Sequence, residues 1–444
     1  MVQPEQGELT FHARRLHRDL SAIFRAGIDA SSPTRLLECA LASPEHQAFL
    51  SRPLHVLSVG KASAPMAVAL DQSASRMVVA GLAIGPSPGP ALSARTAWLA
   101  SSHPVPDDRS LQAARRALAL ARHVPDDHGL LVLLSGGASS LMAIPVPGIS
   151  LGDKRETTRR LLLSGAGIDA LNAVRKHLSA IKGGQLAVAT PAPVLTLAMS
   201  DVTSDDLSVI GSGPTVADPS TFSDALAILA RFGGLAAFSP AVVALLEAGA
   251  RGELPETPKP GDPRLAHSVA SVIGSRATAA AGAAAMARSL GYRTTVWREP
   301  VTGIAREAGP RFLADARRAL GRVETPACII ATGETTVLVT GSGRGGRNQE
   351  VALSVATAMS SLDGPAALLS GGTDGIDGPT EAAGAVCDST TIDRARRAGL
   401  QAPGDYLADN DAYRFFDALG DLVVTGPTGT NVGDMLVLLV WPTS

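Results

Sequence analysis

Apolar residues fall into short unbroken runs, separated by glycine-rich turns and by longer stretches with helical spacing. The runs at 54–59, 78–84, 130–134 and 194–199 are almost wholly aliphatic. That is the pattern of strands buried on both faces of a parallel sheet. Residues 10–50, 66–71, a stretch of Ala, Leu and Arg ending at 122, and 171–186 carry apolar positions at helical spacing. The first of these is expected to cover a sheet. The last is expected as one helix, with Leu171, Val174, Leu178 and Ile181 inward, Asn172, Lys176 and Ser179 on another face, and Gly183-Gly184 at its end. Residues 251–264 (RGELPETPKPGDPR) read as a linker. Beyond it the pattern repeats as strand 268–273, alanine-rich helix 275–290, strand 293–297 and apolar run 327–332. The fold class predicted is α/β, with two α/β domains at residues 1–255 and 256–444.

Composition supports this. A chain of 444 residues exceeds one comfortable core, and 45% hydrophobic residues supply material for two. The net charge of −2 and the lack of a long basic run give no support to a nucleic-acid partner or a membrane surface. No apolar run approaches membrane-spanning length, and the first residues lack an apolar signal core. Cys39, Cys328 and Cys387 have no metal-ligand spacing and fit a reducing compartment, so a cytoplasmic location is expected.

Chemistry gathers where runs meet turns. The run 130–134 enters Ser135-Gly136-Gly137, then Ala138-Ser139-Ser140, a turn whose amides suit phosphate. An echo at 366–374 (AALLSGGTD) brings Gly371 and Gly372 to what is expected to be a second such turn, so two α/β units facing one cleft are expected. Arginine is the default cation, 34 against five lysines. A surviving lysine therefore marks a place for a compact ammonium. Lys61, in GKAS after the first run, and Lys176, on the 171–186 helix, are the candidates, while Lys259 reads as linker. His103, before a proline, reads first as a loop hydrogen-bonder. SDVTSDD after the run 194–199 offers Asp201, Asp205 and Asp206, and IGSGPT adds Gly211 and Gly213. Carboxylates just past a strand end are where magnesium and phosphate are held. In the second half, GSGRGGRNQE brings Arg344, Arg347 and Asn348 to a helix start, SGGTDGID brings Asp374 and Asp377, and GTNVGDM brings Asn431. Two arginines in a glycine loop point to a highly charged anionic group.

Together GKAS, SGGASSL, NAVRKHLSAIKGGQLA, SDVTSDD with IGSGPT, GRGGRNQE, SGGTDGIDGPT and GTNVGDM resemble the class II glycerate kinases over nearly the whole chain, with Ser63 and Glu381 as small variations nearby. The resemblance implies an N-terminal Rossmann-like kinase domain, a C-terminal MOFRL domain and an active site in the interdomain cleft. It implies phosphorylation of D-glycerate at the C2 hydroxyl by ATP with Mg²⁺, and that Lys61 and Arg347 face each other across the cleft. It carries Ser135, Gly136, Gly137, Ser139, Ser140, Lys176, Gly211, Gly213, Arg344, Asn348, Gly371, Gly372 and Asn431 as binding residues. Asp201, Asp206, Asp374 and Asp377 are then the expected metal residues. The general base stays open among the aspartates, and a homodimer stays open as the assembly. The alternative is an NAD(P)H-dependent hydroxypyruvate reductase, a name some members carry. Its dinucleotide fingerprint would have to be Gly341, Gly343 and Gly346, a run that contains arginines and is followed by NQE.

Overall fold

The computed structural model describes residues 4–359, 362 and 364–442. By contact the chain forms two compact units, residues 33–273 and residues 1–32 with 274–444. The first helix, α1 (Pro4–Ala30), belongs to the second of these.

The unit of 33–273 contains α2 (Pro33–Ala42), α3 (Pro44–Leu50), β1 (Leu54–Val59), α4 (Ser63–Ala74), β2 (Val78–Gly85), β3 (Thr96–Ala100), α5 (Asp108–Arg122) and β4 (Gly129–Leu134). Then come the single turn α6 (Ala138–Leu141), α7 (Leu151–Leu163), α8 (Ile168–His177), β5 (Val194–Met199), α9 (Phe222–Arg231), α10 (Pro240–Ala250) and β6 (Ser268–Gly274). The strands lie in the order β3-β2-β1-β4-β5-β6. β1 runs parallel to β2 on one side and β4 on the other, with Val59 level with Leu134. Every residue of β1, β4 and β5 is buried, as their aliphatic runs predict. The winding reverses between β1 and β4. In a doubly wound sheet, ligands bind at that switch point, outside the carboxyl ends of the strands.

Two expectations for this unit are corrected. The helix expected over 171–186 ends at His177. The Nζ of Lys154 takes the carbonyls of Arg175 and Leu178, each at 3.0 Å. Gly183, Gly184 and Leu186 then donate to the carbonyls of Ser212, Gly213 and Pro214, which joins the two loops side by side. Residues 251–264 are packed rather than free. Pro258 accepts from the Asp218 amide at 2.8 Å, and the Thr257 hydroxyl donates to Asp218 at 3.0 Å. The division by contact falls after residue 273.

The other unit continues with α11 (Arg276–Ser289), β7 (Arg293–Val296), β8 (Val301–Ile304), α12 (Ala305–Leu320), β9 (Ala327–Thr336), α13 (Arg347–Met359), β10 (Ala366–Gly372), β11 (Gly384–Asp388), β12 (Leu422–Val423) and β13 (Asp434–Val440). Its sheet runs β12-β11-β10-β13-β9-β7, with β8 also on β9. The repeated parallel pattern is limited to the edge. β7 and β8 run parallel to β9, whereas β9, β13, β10 and β11 pair antiparallel. Alternate residues serve two cores. Ile329, Leu368 and Leu436 pack with Phe312 and Val351 of α12 and α13. Ile330, Leu369 and Val437 pack with Leu20 and Phe24 of α1 and Ala283 of α11. Burial on both faces gives central antiparallel strands the unbroken aliphatic look of parallel ones.

Candidate active site

At the switch point two turns are tied together. The Lys61 amide donates to the Gly136 carbonyl at 2.8 Å, and the Ala62 amide donates to the Ser135 hydroxyl at 3.0 Å. Gly60, at φ +132, has no room for a side chain because Ser135 lies against it. The result presents Lys61 as an exposed side chain that forms no ion pair among the described residues. Around the turn stand two titratable groups. A Cβ on Gly136 would lie 1.8 Å from the Asp201 carboxylate, and one on Gly137 would lie 2.9 Å from the His103 ring and 3.3 Å from Cγ of Lys61. Burial raises the Asp201 pKa, and the Lys61 charge opposes that rise. Burial lowers the His103 pKa, and Lys61 lowers it further. Lys61, His103 and Asp201 thus share one turn. Sequence reasoning ranked His103 as a loop residue, because nothing in its spacing ties residue 103 to residue 137.

Beneath the turn lie more cations. The Nζ of Lys182 donates to the carbonyl and hydroxyl of Ser139 at 2.8 and 2.9 Å. Burial holds the pKa of Lys154 and of Lys182 well below the ordinary lysine value. Lys176, expected to bind substrate, is instead buried in an ion pair with Asp218 at 3.2 Å. Ser140 is buried, and Gly211 and Gly213 stand at φ +59 and +57 on either side of Ser212. Lys182 is not among the residues singled out from the sequence, because the long helix expected over 171–186 hides its direction.

In the other unit, Arg347 opens α13 and grips Asp434 through Nε and Nη2, with Glu334 at 3.1 Å from Nη1. Burial pulls its pKa down, but the Asp434 contacts outweigh that and raise it. Asp377 accepts from the amides of Asn348 and Gln349 at 3.0 and 2.8 Å, so it caps α13 rather than offering itself to a metal. Its pKa is pushed up to about 6, chiefly by burial. Arg344 pairs with Glu381 at 2.5 Å and lies over the Tyr413 ring. Asn348 is buried and accepts from Ser370. Asn431 is half-buried just before β13. The second Ser-Gly-Gly is not a turn. Gly371 and Gly372 lie inside β10, paired on both sides, and the missing side chain of Gly371 makes room for Phe24.

Of the expected metal residues, Asp206, Asp374 and Asp377 each accept from backbone amides, whereas Asp201 has its carboxylate beside the Gly136 turn. Asp206 accepts from the Ser208 amide and Asp374 from that of Ile376. Among the described residues no three His, Cys, Asp or Glu side chains gather as a metal-holding group. Nor is the glycine run 341–346 a dinucleotide cradle. Its amides are engaged by Asn410 on Gly341, by Asp409 on Ser342 and Gly343, and by Asp411 on Arg344.

A parallel doubly wound sheet with an exposed lysine and a half-buried aspartate at its switch point is an arrangement that α/β phosphoryl-transfer enzymes can use. Residues 19–247 match the family described as a domain of unknown function, DUF4147, and residues 327–434 match the MOFRL family. A D-glycerate 2-kinase of Thermotoga maritima is 38% identical over 87% of this chain and 90% of its own length. A protein of Agrobacterium vitis named "Putative hydroxypyruvate reductase" is 41% identical over 87% of this chain and 86% of its own. The crystal structure of a glycerate kinase from Thermotoga maritima superposes with a TM-score of 0.85 at 36% identity, covering 96% of this chain and 100% of that one. The chain belongs to the glycerate kinase family that joins a DUF4147 domain to a MOFRL domain, and it is a kinase. No helix among the described residues is long and apolar enough to cross a membrane.

Proposed function

We propose that this kinase transfers the γ-phosphoryl group of ATP to the C2 hydroxyl of D-glycerate, giving 2-phosphoglycerate and ADP. One observation carries the reading: Lys61 projects as an exposed ammonium from the switch-point turn, its own amide locked to Gly136 and Asp201 beside it. The hydroxyl oxygen bonds to phosphorus, the bond from phosphorus to the ADP oxygen breaks, and the hydroxyl proton leaves to a base. Such a transfer asks the protein for position and for neutralisation of spread negative charge. Lys61 supplies a compact charge, and the amides of Gly136 and Gly137 supply donors. Arg347, which opens α13, is the second cation of this reading. The hard oxygen donors at the turn suit Mg²⁺, which proteins hold through one or two carboxylates together with substrate phosphates. Asp201 is the carboxylate that would hold it, with Asp206 on the same loop as second candidate. Bound there, the ion would neutralise phosphate charge. The engaged amides of 341–344 speak against the reductase reading, whose fingerprint would need them. Phosphorus NMR of the product formed from ATP and D-glycerate tests the proposal. A 2-phosphate is expected, and a 3-phosphate contradicts the regiochemistry. Oxidation of NADH by hydroxypyruvate with no phosphoryl transfer overturns the reading altogether.

A further inference from the structure

Lys182 is 2% exposed, yet its ammonium meets no carboxylate among the described residues. Lys176, comparably buried, has Asp218. The charges that bear on Lys182 are those of Lys154 and Arg175, both cations. A buried cation without a counter-charge is expensive, and like-charged neighbours make it more so.

Hydrogen-bond direction adds a second, independent observation. An ammonium only donates, so the Ser139 hydroxyl accepts from Lys182 and must spend its proton on Ser212, at 3.0 Å. Ser212 in turn donates to Oδ1 of Asn172 at 2.9 Å. Every proton along Lys182, Ser139, Ser212 and Asn172 therefore points the same way. The series ends at the Asn172 side-chain nitrogen, which is buried and has no partner among the described residues. Two N–H groups of Asn172 and one of Lys182 are left with nothing to accept them. The arrangement is kept at a cost in backbone strain, since Ser212 is a non-glycine residue at φ +63.

We propose that Lys182, Ser139 and Asn172 form an oxyanion site under the SGGASS turn, taking a carboxylate or a phosphoryl group, with Lys182 as its binding cation. The site deepens the kinase reading above and rests on it. One oxyanion supplies both the missing negative charge and the missing acceptors. Ser139, the half-exposed member, is the way in. The two sources of such a group are the acid substrate and the nucleotide.

The test is calorimetric binding of ADP and of D-glycerate, separately, to the wild type, Lys182→Met and Asn172→Asp, with the Tm of each. Methionine fills the space without charge, and an apolar replacement of an uncompensated buried ion is neutral or stabilising. Aspartate still accepts from Ser212 but sets a carboxylate where the ligand's would sit. Both variants are expected to keep or raise Tm and to weaken the same ligand by roughly tenfold or more. Weakened ADP assigns the site to a phosphate, and weakened D-glycerate assigns it to the carboxylate. A purely structural lysine predicts instead that Asn172→Asp gains stability and loses no affinity. If the wild type binds a ligand and both variants bind it equally well, or each weakens a different one, the proposal is overturned with the kinase reading intact. A wild type that binds neither ligand overturns the kinase reading, and this site with it. Should Lys182→Met fail to fold, Asn172→Asp decides by the same criterion.

Discussion

Arg347 holds both carboxylate oxygens of Asp434, at 2.6 and 2.9 Å. A fork held on two points has a fixed plane, and only a guanidinium makes that contact. Arg347→Ala is expected to lower kcat by about 10³ or more while ATP affinity stays within about tenfold. Arg347→Lys should not restore turnover. Asp434→Asn should cost about 2 kcal/mol, below the range for a fully buried pair because Arg347 is 33% exposed. Coupled assay, calorimetry and thermal melting on the same proteins check all three. Unchanged kcat in Arg347→Ala makes this a surface arginine, and loss of ATP binding makes it a nucleotide residue.

Lys61 is exposed and carries no ion pair among the described residues, so stability gives no reason to keep it a lysine. Lys61→Arg should melt like the wild type yet turn over at least about 100-fold more slowly, because a planar fork does not replace a compact charge. Near-normal turnover in that variant would refute the role given to it.

Gly136 is where the turn meets Asp201, 1.8 Å from where a Cβ would be. Gly136→Ala should displace that carboxylate and lower kcat by about 10² or more with a Tm change of only a few degrees. If the loss runs through Asp201, the same change made in Asp201→Ala should cost little more. A double-mutant cycle gives the answer, and fully additive losses would separate the two residues.

Asp377 is titrated by its burial. Burial lifts its carboxyl from the ordinary 3.8 to about 6, so over that range the folded state holds a proton that the unfolded state has released. Its contribution to stability is therefore full below about pH 4 and is lost as pH rises through about 6. Urea unfolding at a series of pH values should show that fall, and Asp377→Asn should flatten it. An equally steep fall in the variant would assign the titration elsewhere.

The first sheet was legible because parallel strands buried on both faces are written as aliphatic runs, and the observed β1 and β5 coincide with the expected ones. The turn at Ser135 to Ser140 was legible for the same reason, since a strand end and its glycines are local. The second Ser-Gly-Gly misled because identical tripeptides end one strand and fill another, and only the distant Phe24 distinguishes them. Lys176 misled similarly: its counter-ion, Asp218, lies 42 residues away. Local pattern records which residues carry charge, but not which charges are already spent.

That α1 packs with α11 rather than with its chain neighbours has a consequence for synthesis. As the chain emerges from the ribosome, residues 33–273 have all their own partners before the other unit does. Leu16, Leu20, Ile23 and Phe24 must wait, uncovered, for strands made about 300 residues or more later, the reach from α1 to β9 and beyond. A fragment beginning at residue 256 would inherit the converse defect, a sheet whose one apolar face keeps α11 but loses the cover of α1. The aliphatic stripe of α1 thus stays uncovered until the strands of 327–440 are made, and that interval is set by the length of the inserted unit.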